Sequence, residues 1–335
     1  MTIRVAINGF GRIGRSVFRI LSDLPEEFEV VAINDLYENK ALAYLLKYDT
    51  VMGTFDKSVH HDDEALYVND RKILMTNHRD PAEANWGELG IDFVIESTGV
   101  FTVRAALEKH LTGGAKKVLL TVPPKDEIDA MVVYKVNDEV LKGEHRIISN
   151  ASCTTNCLAP LAKVLDESFG IEHGLMTTVH AFTNDQRLAD VPHKDFRRSR
   201  AAAENIIPTT TGAARAVGKV LPQLAGKLDG MAARVPVPDG SVVDLVVKLK
   251  EKPDAEAVNQ AVKAAAEGHM KGVLQFCDEP VVSSDIIGNP HSSVFDSLVT
   301  QAKGDGYVRV LSWYDNEWGY SNRCVDIIRK AHSLS

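Results

Sequence analysis

Cys153 is the residue in this 335-residue chain best suited to covalent chemistry. It follows the polar run Asn-Ala-Ser at 150–152 and precedes a stretch with apolar residues at helical spacing, namely Leu158, Leu161, Ala162 and Leu165. A cysteine in the first turn of a helix faces the positive end of the helix dipole, which favours its thiolate, the form that acts as a nucleophile. Ser152 or Thr154 can also be interpreted simply as the N-cap of this helix.

A nucleophilic cysteine needs a base, and His180 is the candidate among the 11 histidines. It ends the apolar run at 175–179, and a histidine at a strand end in an α/β domain faces the crevice where ligands bind. The pattern alone leaves open whether His180 pairs with Cys153 or is an ordinary core or surface histidine. Cys157, on the same helix face as Cys153, is expected to be structural, because a disulfide across one helical turn has poor geometry.

A second group of motif residues lies near the N-terminus. Gly9, Gly11 and Gly14 form G-x-G-x-x-G between an apolar run at 3–7 and a helical pattern at 13–21. There the glycines allow a tight turn, close approach of a pyrophosphate to the backbone and close helix–strand packing. Asp35 lies about 20 residues beyond Gly14, where a carboxylate accepts hydrogen bonds from ribose hydroxyls and repels a 2′-phosphate. These residues predict NAD rather than NADP as cofactor, although Asp35 alone can also be a turn residue.

The pattern of elements indicates an α/β protein with two domains. Strands predicted at 3–7, 28–33, 91–96, 117–121 and 131–134, with a helix at 102–111, are typical of a mostly parallel, Rossmann-type sheet with helices on both faces. Runs at 174–179, 234–237, 242–249 and 308–313, with a helix at 258–271, indicate an α+β domain with a mixed or antiparallel sheet. We predict a dinucleotide-binding domain at 1–150 and a catalytic domain at 151–316. A C-terminal helix at about 317–335 is expected to pack back on the first domain.

Composition excludes several classes of protein. The chain is 44% hydrophobic and 25% charged, as globular proteins are, and its net charge of −8 disfavours nucleic acid and anionic membranes as partners. Four cysteines are too few for a disulfide scaffold and lack the spacing of zinc ligands, so no metal is expected. The N-terminal residues reach glycine and charge too early for a secretory signal, and no apolar run approaches ~18 residues. These features together predict a cytoplasmic enzyme.

Taken together, the motifs resemble those of the phosphorylating glyceraldehyde-3-phosphate dehydrogenases. Ser-Cys-Thr-Thr-Asn-Cys at 152–157 carries the resemblance most specifically, and further matching segments lie at 6–15, 46–49, 96–99, 178–186, 193–198, 207–213 and 312–320. The resemblance covers essentially the whole chain. It implies oxidation of glyceraldehyde 3-phosphate with NAD and inorganic phosphate to 1,3-bisphosphoglycerate, in glycolysis or gluconeogenesis.

The resemblance also implies roles for residues of the catalytic domain. Cys153 is the nucleophile that forms a hemithioacetal and then a thioester, and His180 activates the thiol and serves as acid–base. Thr183 and Arg234 correspond to the pocket for the phosphate of the substrate. The pocket for the attacking phosphate corresponds to Ser152, Thr154, Arg198, Thr211 and Gly212. Hydroxyl and guanidinium groups are suitable donors to phosphate, although an arginine considered alone is more often a solvated charge.

On the cofactor side, the resemblance implies contacts from the glycine motif and from residues farther along the chain. These residues are Gly9, Gly11, Arg12, Ile13, Gly14, Asp35, Arg79, Thr121 and Asn316. Asn316 is expected to hold the nicotinamide carboxamide and so to set which face of the ring accepts hydride. Val-Pro at 191–192 matches the loop of NAD-specific members. The family is usually homotetrameric, so a homotetramer is implied.

Three alternatives remain open. Segments at 129–134, 143–150 and 289–292 resemble the sister enzyme erythrose-4-phosphate dehydrogenase, whereas Thr183 and the Thr-Thr-Thr-Gly run at 209–212 favour the three-carbon substrate. A cysteine hydrolase would use Cys153 and His180 without a redox cofactor, which the glycine motif and Asp35 argue against. A non-catalytic NAD-binding protein would leave Cys153 unreactive.

Overall fold

The computed structural model describes residues 2–335 and divides them into two compact units. The first unit comprises residues 2–132, 138–151 and 321–335, and the second comprises residues 133–137 and 152–320. The last helix, α7 (Trp318–Ser333), begins in the second unit and continues in the first. Within residues 2–335, no helix has both the length and the apolar character needed to cross a membrane.

The first unit is built on a nine-stranded sheet. Its elements are β1 (Ile3–Asn8), α1 (Arg12–Ser22), β2 (Phe28–Asn34), α2 (Asn39–Lys47), β3 (Val59–His61), β4 (Ala65–Val68), β5 (Arg71–Thr76), β6 (Phe93–Glu96), α3 (Arg104–Thr112), β7 (Lys117–Leu120), β8 (Ala130–Met131) and β9 (Ile147–Ser149). The strand order is β3-β4-β5-β2-β1-β6-β7-β9-β8. The pairs from β5 to β8 are parallel, and β3, β4 and β5 form an antiparallel edge. The predicted, mostly parallel sheet is therefore confirmed.

The central strands of this sheet are continuous apolar runs because both of their faces are covered. Val5, Ala6 and Ile7 of β1 are all 0% exposed, and every residue of β6 is buried. The register pairs Asn8 at the end of β1 with Asn34 of β2 and Glu96 of β6. The loops that carry the glycine motif, Asp35 and residues 97–99 consequently all leave the sheet at the carboxyl ends of these strands.

The second unit contains a seven-stranded mixed sheet. Its elements are α4 (Cys153–Phe169), β10 (Ile171–Ala181), β11 (Ile207–Thr210), α5 (Ala213–Val220), β12 (Leu228–Val235), β13 (Ser241–Leu249), α6 (Ala255–Glu267), β14 (Leu274–Cys277), β15 (Ser293–Ala302) and β16 (Tyr307–Tyr314). The strand order is β11-β12-β10-β13-β16-β15-β14, with parallel pairs β10–β12 and β14–β15 and antiparallel pairs elsewhere. This agrees with the predicted mixed sheet.

Helix α4 follows the predicted pattern, since Leu158, Leu161 and Leu165 are all 0% exposed. The parallel register of β10 with β12 places His180 directly beside Arg234. The unit therefore positions candidate residues on three elements, namely the start of α4 and the ends of β10 and β12.

Several predicted elements were wrong in position or were missed. The strand predicted at 131–134 ends at Met131, and the chain then turns through Lys135 with φ +61°. The strand predicted at 234–237 is only the end of β12, whose earlier residues, Leu-Asp-Gly-Met-Ala-Ala, lack the β-branched side chains that indicate a strand. The helix predicted at 258–271 ends at Glu267, before Gly268. The strands β3, β4 and β9 have only three or four residues each, too few for a clear alternation of burial, and strand β5 was also missed.

Candidate active site

Cys153 is the first residue of helix α4, and Ser152 is its N-cap. The Ser152 hydroxyl oxygen accepts a hydrogen bond from the backbone N–H of Thr155 at 3.1 Å, which satisfies one of the N–H groups that lack a partner within the helix. Ala151, directly before the cap, has φ +53°, a conformation that is unfavourable for residues with a side chain. The chain thus turns sharply and presents the half-buried Cys153 at the positive end of the helix.

His180 lies beside this thiol. Its Nε2 is 3.5 Å from Cys153 Sγ, and its Nδ1 is 2.7 Å from the carbonyl oxygen of Ala181. Because a carbonyl oxygen only accepts hydrogen bonds, Nδ1 carries the proton and Nε2 presents a lone pair to the thiol. The structure therefore brings His180 and Cys153 together, the pairing that the sequence left open, in a geometry suited to a nucleophile and its base.

The electrostatics of the pair differ from the simple expectation of a thiolate stabilised by the helix alone. Burial raises the pKa of Cys153, although Arg234 and the hydroxyl and N–H of Thr154 act in the opposite direction. Burial and Arg234 lower the pKa of His180 to about 3. Both pKa shifts favour the neutral forms, so a charge on either Cys153 or His180 alone is unfavourable. A proton passed from Sγ to Nε2 keeps the net charge of the pair at zero, and attraction between the two ions offsets part of the cost of desolvation. Ionisation of Cys153 thus depends on His180.

Tyr314, which we did not predict as a site residue, lies behind the pair. Its hydroxyl is 2.9 Å from Thr154 Oγ1 and 2.8 Å from Thr178 Oγ1, and its ring meets the His180 ring edge to face at 5.8 Å. One phenol thus connects the start of α4 to β10. The hydroxyl of Thr154, expected to bind the attacking phosphate, is buried in this contact.

The two arginines expected to bind phosphate lie on one chain of polar contacts. Arg234 donates to Thr183 Oγ1 at 2.8 Å and to the carbonyl oxygen of Ala181 at 3.2 Å. Thr183 donates to Asp185, which forms an ion pair with Arg198. Although burial opposes it, hydrogen bonding from Thr183 and the charges of Arg234 and Arg198 lower the pKa of Asp185. Asp185 is a second residue that sequence reasoning missed, although it lies within the matched segment 178–186.

The remaining residues expected near the attacking phosphate lie at the start of helix α5. Arg198 donates to Thr209 Oγ1 at 3.0 Å and to the carbonyl oxygen of Thr210 at 3.4 Å, so it lies along β11. Thr211 Oγ1 accepts from the N–H of Ala213, and Gly212 is the N-cap of α5 without a side-chain hydrogen bond. Hydroxyls, a guanidinium group and a helix N-terminus therefore follow one another here, all of which are donors suited to an anion.

The glycine motif of the first unit fits a dinucleotide. Gly9 has φ +91°, and a Cβ at this position would lie 2.8 Å from the backbone nitrogen of Thr98. A Cβ at Gly14 would overlap the carbonyl oxygen of Gly9, whereas nothing lies within 4 Å of a Cβ at Gly11. Gly9 and Gly14 thus permit the tight turn and the close packing of α1. The open space at Gly11, the N-cap of α1, leaves room for a pyrophosphate against the backbone.

Asp35 lies at the end of β2 and faces the glycine loop. Its carboxylate accepts hydrogen bonds from the N–H of Phe10 at 2.7 Å and of Tyr37 at 3.1 Å, which fix an anion where a ribose is expected. Arg12, at the start of α1, forms an ion pair with Asp49. The other predicted cofactor contacts of this unit are the half-buried Ile13, the exposed Arg79 and the buried Thr121, whose hydroxyl donates to the carbonyl oxygen of Glu96.

Asn316 lies in the second unit and is 5% exposed. The hydroxyl of Ser241 donates to its Oδ1 at 2.7 Å and accepts from the N–H of Ala181 at 3.1 Å. Because this hydrogen bond occupies the amide oxygen, the orientation of the Asn316 side chain is fixed and its NH₂ group is turned toward other partners. Ser241 is a third residue that the sequence did not indicate.

Comparison with protein families agrees with this arrangement. The profile described as glyceraldehyde 3-phosphate dehydrogenase, NAD binding domain, matches residues 3–104. The profile described as glyceraldehyde 3-phosphate dehydrogenase, C-terminal domain, matches residues 152–316. The two matches include the glycine motif and Asp35 on one side, and the Cys153–His180 pair and Asn316 on the other.

Curated relatives align with the chain over nearly its full length. A glyceraldehyde-3-phosphate dehydrogenase of Streptomyces coelicolor is 58% identical over 329 residues, which cover 98% of each chain. Glyceraldehyde-3-phosphate dehydrogenase 2 of Bacillus subtilis is 57% identical, with 98% of this chain and 96% of the relative covered. A Mycobacterium tuberculosis glyceraldehyde-3-phosphate dehydrogenase is 55% identical over 98% of each chain. The chain therefore belongs to the glyceraldehyde-3-phosphate dehydrogenase family.

Proposed function

We propose that this protein is an NAD-dependent, phosphorylating glyceraldehyde-3-phosphate dehydrogenase that works through a covalent intermediate on Cys153. The observation that carries the proposal is the 3.5 Å contact of Cys153 Sγ with His180 Nε2 at the start of α4. Arg234 lies beside His180 in the sheet register, which supplies a cation for the substrate's phosphate.

The first step is attack on the aldehyde. His180 Nε2 takes the thiol proton as Cys153 Sγ bonds to the carbonyl carbon, and the oxyanion then receives the proton to give a hemithioacetal. The N–H groups at the start of α4, Cys153 foremost, are donors for this oxyanion. His180 next accepts the hydroxyl proton of the hemithioacetal as a hydride leaves its carbon, and Cys153 is left as a thioester.

NAD supplies the hydride acceptor, and the residues described for the glycine loop fit it. Gly9, Gly11 and Gly14 give the backbone clearance for the pyrophosphate, and Asp35 offers a carboxylate for the ribose hydroxyls. We assign Asn316 to the nicotinamide carboxamide. The hydrogen bond from Ser241 supports this assignment, since it leaves the NH₂ group of Asn316 to donate to a carbonyl oxygen.

The last step is attack of inorganic phosphate on the thioester. A phosphate oxygen bonds to the acyl carbon, the C–S bond breaks and the leaving thiolate of Cys153 is protonated by His180, which releases the acyl phosphate. We assign Thr183 and Arg234 to the substrate's phosphate. The attacking phosphate is assigned to Ser152, Thr154, Arg198, Thr211 and Gly212, with Thr154 acting through its backbone N–H because its hydroxyl is bound to Tyr314. The ion pair of Arg198 with Asp185 keeps its guanidinium positioned near β11.

The comparisons weigh against the other functions considered. Relatives at 55–58% identity carry the name glyceraldehyde-3-phosphate dehydrogenase, which favours the three-carbon substrate over erythrose 4-phosphate. The match of residues 3–104 to an NAD-binding domain argues against a cofactor-free cysteine hydrolase. The base beside Cys153 argues against a non-catalytic NAD-binding protein.

Steady-state kinetics test the reaction. NADH formation should require glyceraldehyde 3-phosphate, NAD and phosphate together, and erythrose 4-phosphate should react with a lower kcat/KM. Cys153→Ser should abolish turnover and retain NAD binding, whereas Cys157→Ser should keep the site competent. Activity of the Cys153→Ser variant, or NADH formation that is independent of phosphate, would overturn the mechanism.

A second experiment tests the substrate's phosphate pocket. Arg234→Leu should reduce kcat/KM for glyceraldehyde 3-phosphate about 10²-fold or more, as expected for loss of a charged hydrogen bond, with a much smaller loss on glyceraldehyde. Arg215→Leu is the matched control, because Arg215 is exposed and paired with Asp229. Equal losses on both substrates would refute the role of Arg234.

We extend the proposal to a cytoplasmic homotetramer. Large apolar side chains are exposed between residues 182 and 206, including Leu188 at 85%, Phe196 at 87% and Ile206 at 71%, which is typical of a surface covered by another subunit. The four cysteines are free, as in a reducing compartment. Light scattering on the purified protein should give four chain masses, and a monomer at micromolar concentration would contradict the assembly.

A further inference from the structure

Two buried carboxyl groups of the second unit face each other. Asp239 and Asp315 are each 1% exposed, and their side chains lie within hydrogen-bonding reach of one another. A hydrogen bond between two carboxyl groups requires a proton on one of them, since an ionised carboxylate only accepts. The pair therefore shares a proton.

The surroundings of each acid indicate which one carries the proton. The Asp315 carboxylate accepts three backbone N–H groups, from Gly288 at 2.7 Å, Glu317 at 2.8 Å and Trp318 at 2.6 Å. Asp239 accepts only from Gly240, and among residues 2–335 no N–H or hydroxyl donates to its Oδ2. Hydrogen bonds to the ionised form stabilise Asp315 as the carboxylate, so Asp239 is the protonated donor.

The same two chain segments are joined a second time at the candidate site. Ser241, two residues after Asp239, donates to Oδ1 of Asn316, the residue after Asp315. Ser241 also accepts from the N–H of Ala181, whose carbonyl oxygen accepts from His180. The carboxyl pair and the Ser241–Asn316 bond are thus adjacent cross-links between residues 239–241 and 315–316.

We propose that Asp239 is a positioning residue that acts as a protonated carboxylic acid, and that its hydrogen bond to Asp315 holds Asn316 in the orientation required by the nicotinamide carboxamide. This inference rests on the proposed function only for the role of Asn316. The shared proton itself is a property of the free protein.

The charges around the pair agree with this protonation state. Burial, together with the carboxylates of Asp315 and Glu317, raises the pKa of Asp239 to about 9. The titratable groups that act on Asp239 are Asp315 and Glu317, from the junction of β16 with α7, and Cys153 from α4. The turn at 283–286, which contains the exposed Asp285, packs on Gly240 through Ser283. A negative charge on Asp239 raises the pKa of Cys153. Protonation of Asp239 therefore also removes one charge that opposes the thiolate.

The free protein offers a test that does not depend on activity. Infrared difference spectra of the wild-type chain between neutral pH and pH above about 9 should show loss of the carbonyl stretch of a protonated carboxylic acid. Asp239→Asn should lack this band, and Asp285→Asn, a change at an exposed neighbouring acid, should keep it. Absence of the band from the wild type at neutral pH, or its persistence in Asp239→Asn, would overturn the proposal.

Matched amide substitutions then separate the two acids. Asp239→Asn keeps a donor to Asp315 and should fold with little change in Tm. Asp315→Asn turns an NH₂ group toward backbone N–H donors and should lower Tm by several degrees. Equal effects of the two substitutions would show that the proton is not localised on Asp239.

Kinetics test the consequence for the cofactor. Asp239→Ala should reduce kcat/KM for NAD about tenfold, the effect of one lost buried hydrogen bond, whereas Asp239→Asn should lose less than about threefold. The decline of kcat/KM for NAD above pH 9 should vanish in Asp239→Asn and persist in Asp285→Asn. If the infrared band is present but all variants share the wild-type NAD profile, the positioning role fails while the shared proton stands.

Discussion

Replacement of His180 by Asn tests the link between the imidazole and the reactivity of Cys153. Nε2 is the nitrogen that faces the thiol, at 3.5 Å, and the rest of the ring contacts Tyr314 and the Ala181 carbonyl oxygen. The asparagine side chain can keep a donor toward Ala181 but cannot take up the thiol proton. We therefore expect Cys153 to ionise at a higher pH in the variant.

The magnitude follows from the distance. Two unit charges 3.5 Å apart attract by about 4.7 kcal/mol at an effective dielectric constant of ~20, which corresponds to roughly 3.5 units of pKa. Loss of the imidazolium should therefore raise the apparent pKa for ionisation of Cys153 by about 3.5 pH units. Loss of acid–base catalysis should lower kcat by about 10²–10⁴-fold.

The assay is the pH dependence of alkylation by iodoacetamide, a neutral reagent whose approach is not steered by the charge of His180. Mass spectrometry identifies which cysteine is alkylated. Cys157 should remain unmodified, because it is fully buried and burial raises its pKa to about 12. His173→Asn is the matched control, because His173 lies exposed on the same strand β10. If alkylation of the His180→Asn variant titrates at the wild-type pH, the imidazole is not the base.

Three further outcomes follow from the contacts described. Ser152→Ala should lower the free energy of unfolding by about 1 kcal/mol, because the N-cap of α4 is lost, and it should also raise KM for phosphate. Asp254→Ala, which removes the N-cap of α6, is the control and should lower the free energy of unfolding by a similar amount without changing KM for phosphate. Asp35→Ala should weaken NAD binding about 10–100-fold and narrow its advantage over NADP, and an unchanged ratio of the two kcat/KM values would exclude the ribose contact. Below pH 6.5 the unfolded chain binds a proton at His180 that the folded chain does not bind until about pH 3. As pH is lowered between these values, the free energy of unfolding should therefore decrease by about 1.4 kcal/mol per pH unit because of this residue. Chemical denaturation should show that His180→Asn lacks this contribution.

Local features of the fold and the candidate site were accessible from the sequence. The glycine motif is recognised from the spacing of its own residues, although the steric demand at Gly9 comes from the distant Thr98 and the demand at Gly14 from Gly9. The cap at Ser152 and the buried face of α4 follow from the same short-range rules. The parallel sheet of the first unit and the mixed sheet of the second were predicted from runs of apolar residues and are confirmed.

Contacts between distant residues gave no such signal. Tyr314 meets Thr154 across 160 residues of chain and Thr178 across 136, so no spacing rule connects them. Asp239 and Asp315 resemble ordinary surface acids in the sequence, and only burial turns them into a pair. The effect of the protein interior on Cys153 was likewise underestimated, because the helix start is visible in the pattern whereas the depth of burial is not.

The phenol of Tyr314 has a consequence for how the second unit tolerates change. Its oxygen is bound by one hydroxyl from the start of α4 and one from β10, and its ring rests against the imidazole. The start of α4, which carries Cys153, and the His180 ring are therefore both held in place by Tyr314, at the end of β16. Thermal motion or mutation in the surrounding loops can therefore alter what enters the site while these contacts of Tyr314 continue to hold the start of α4 against β10.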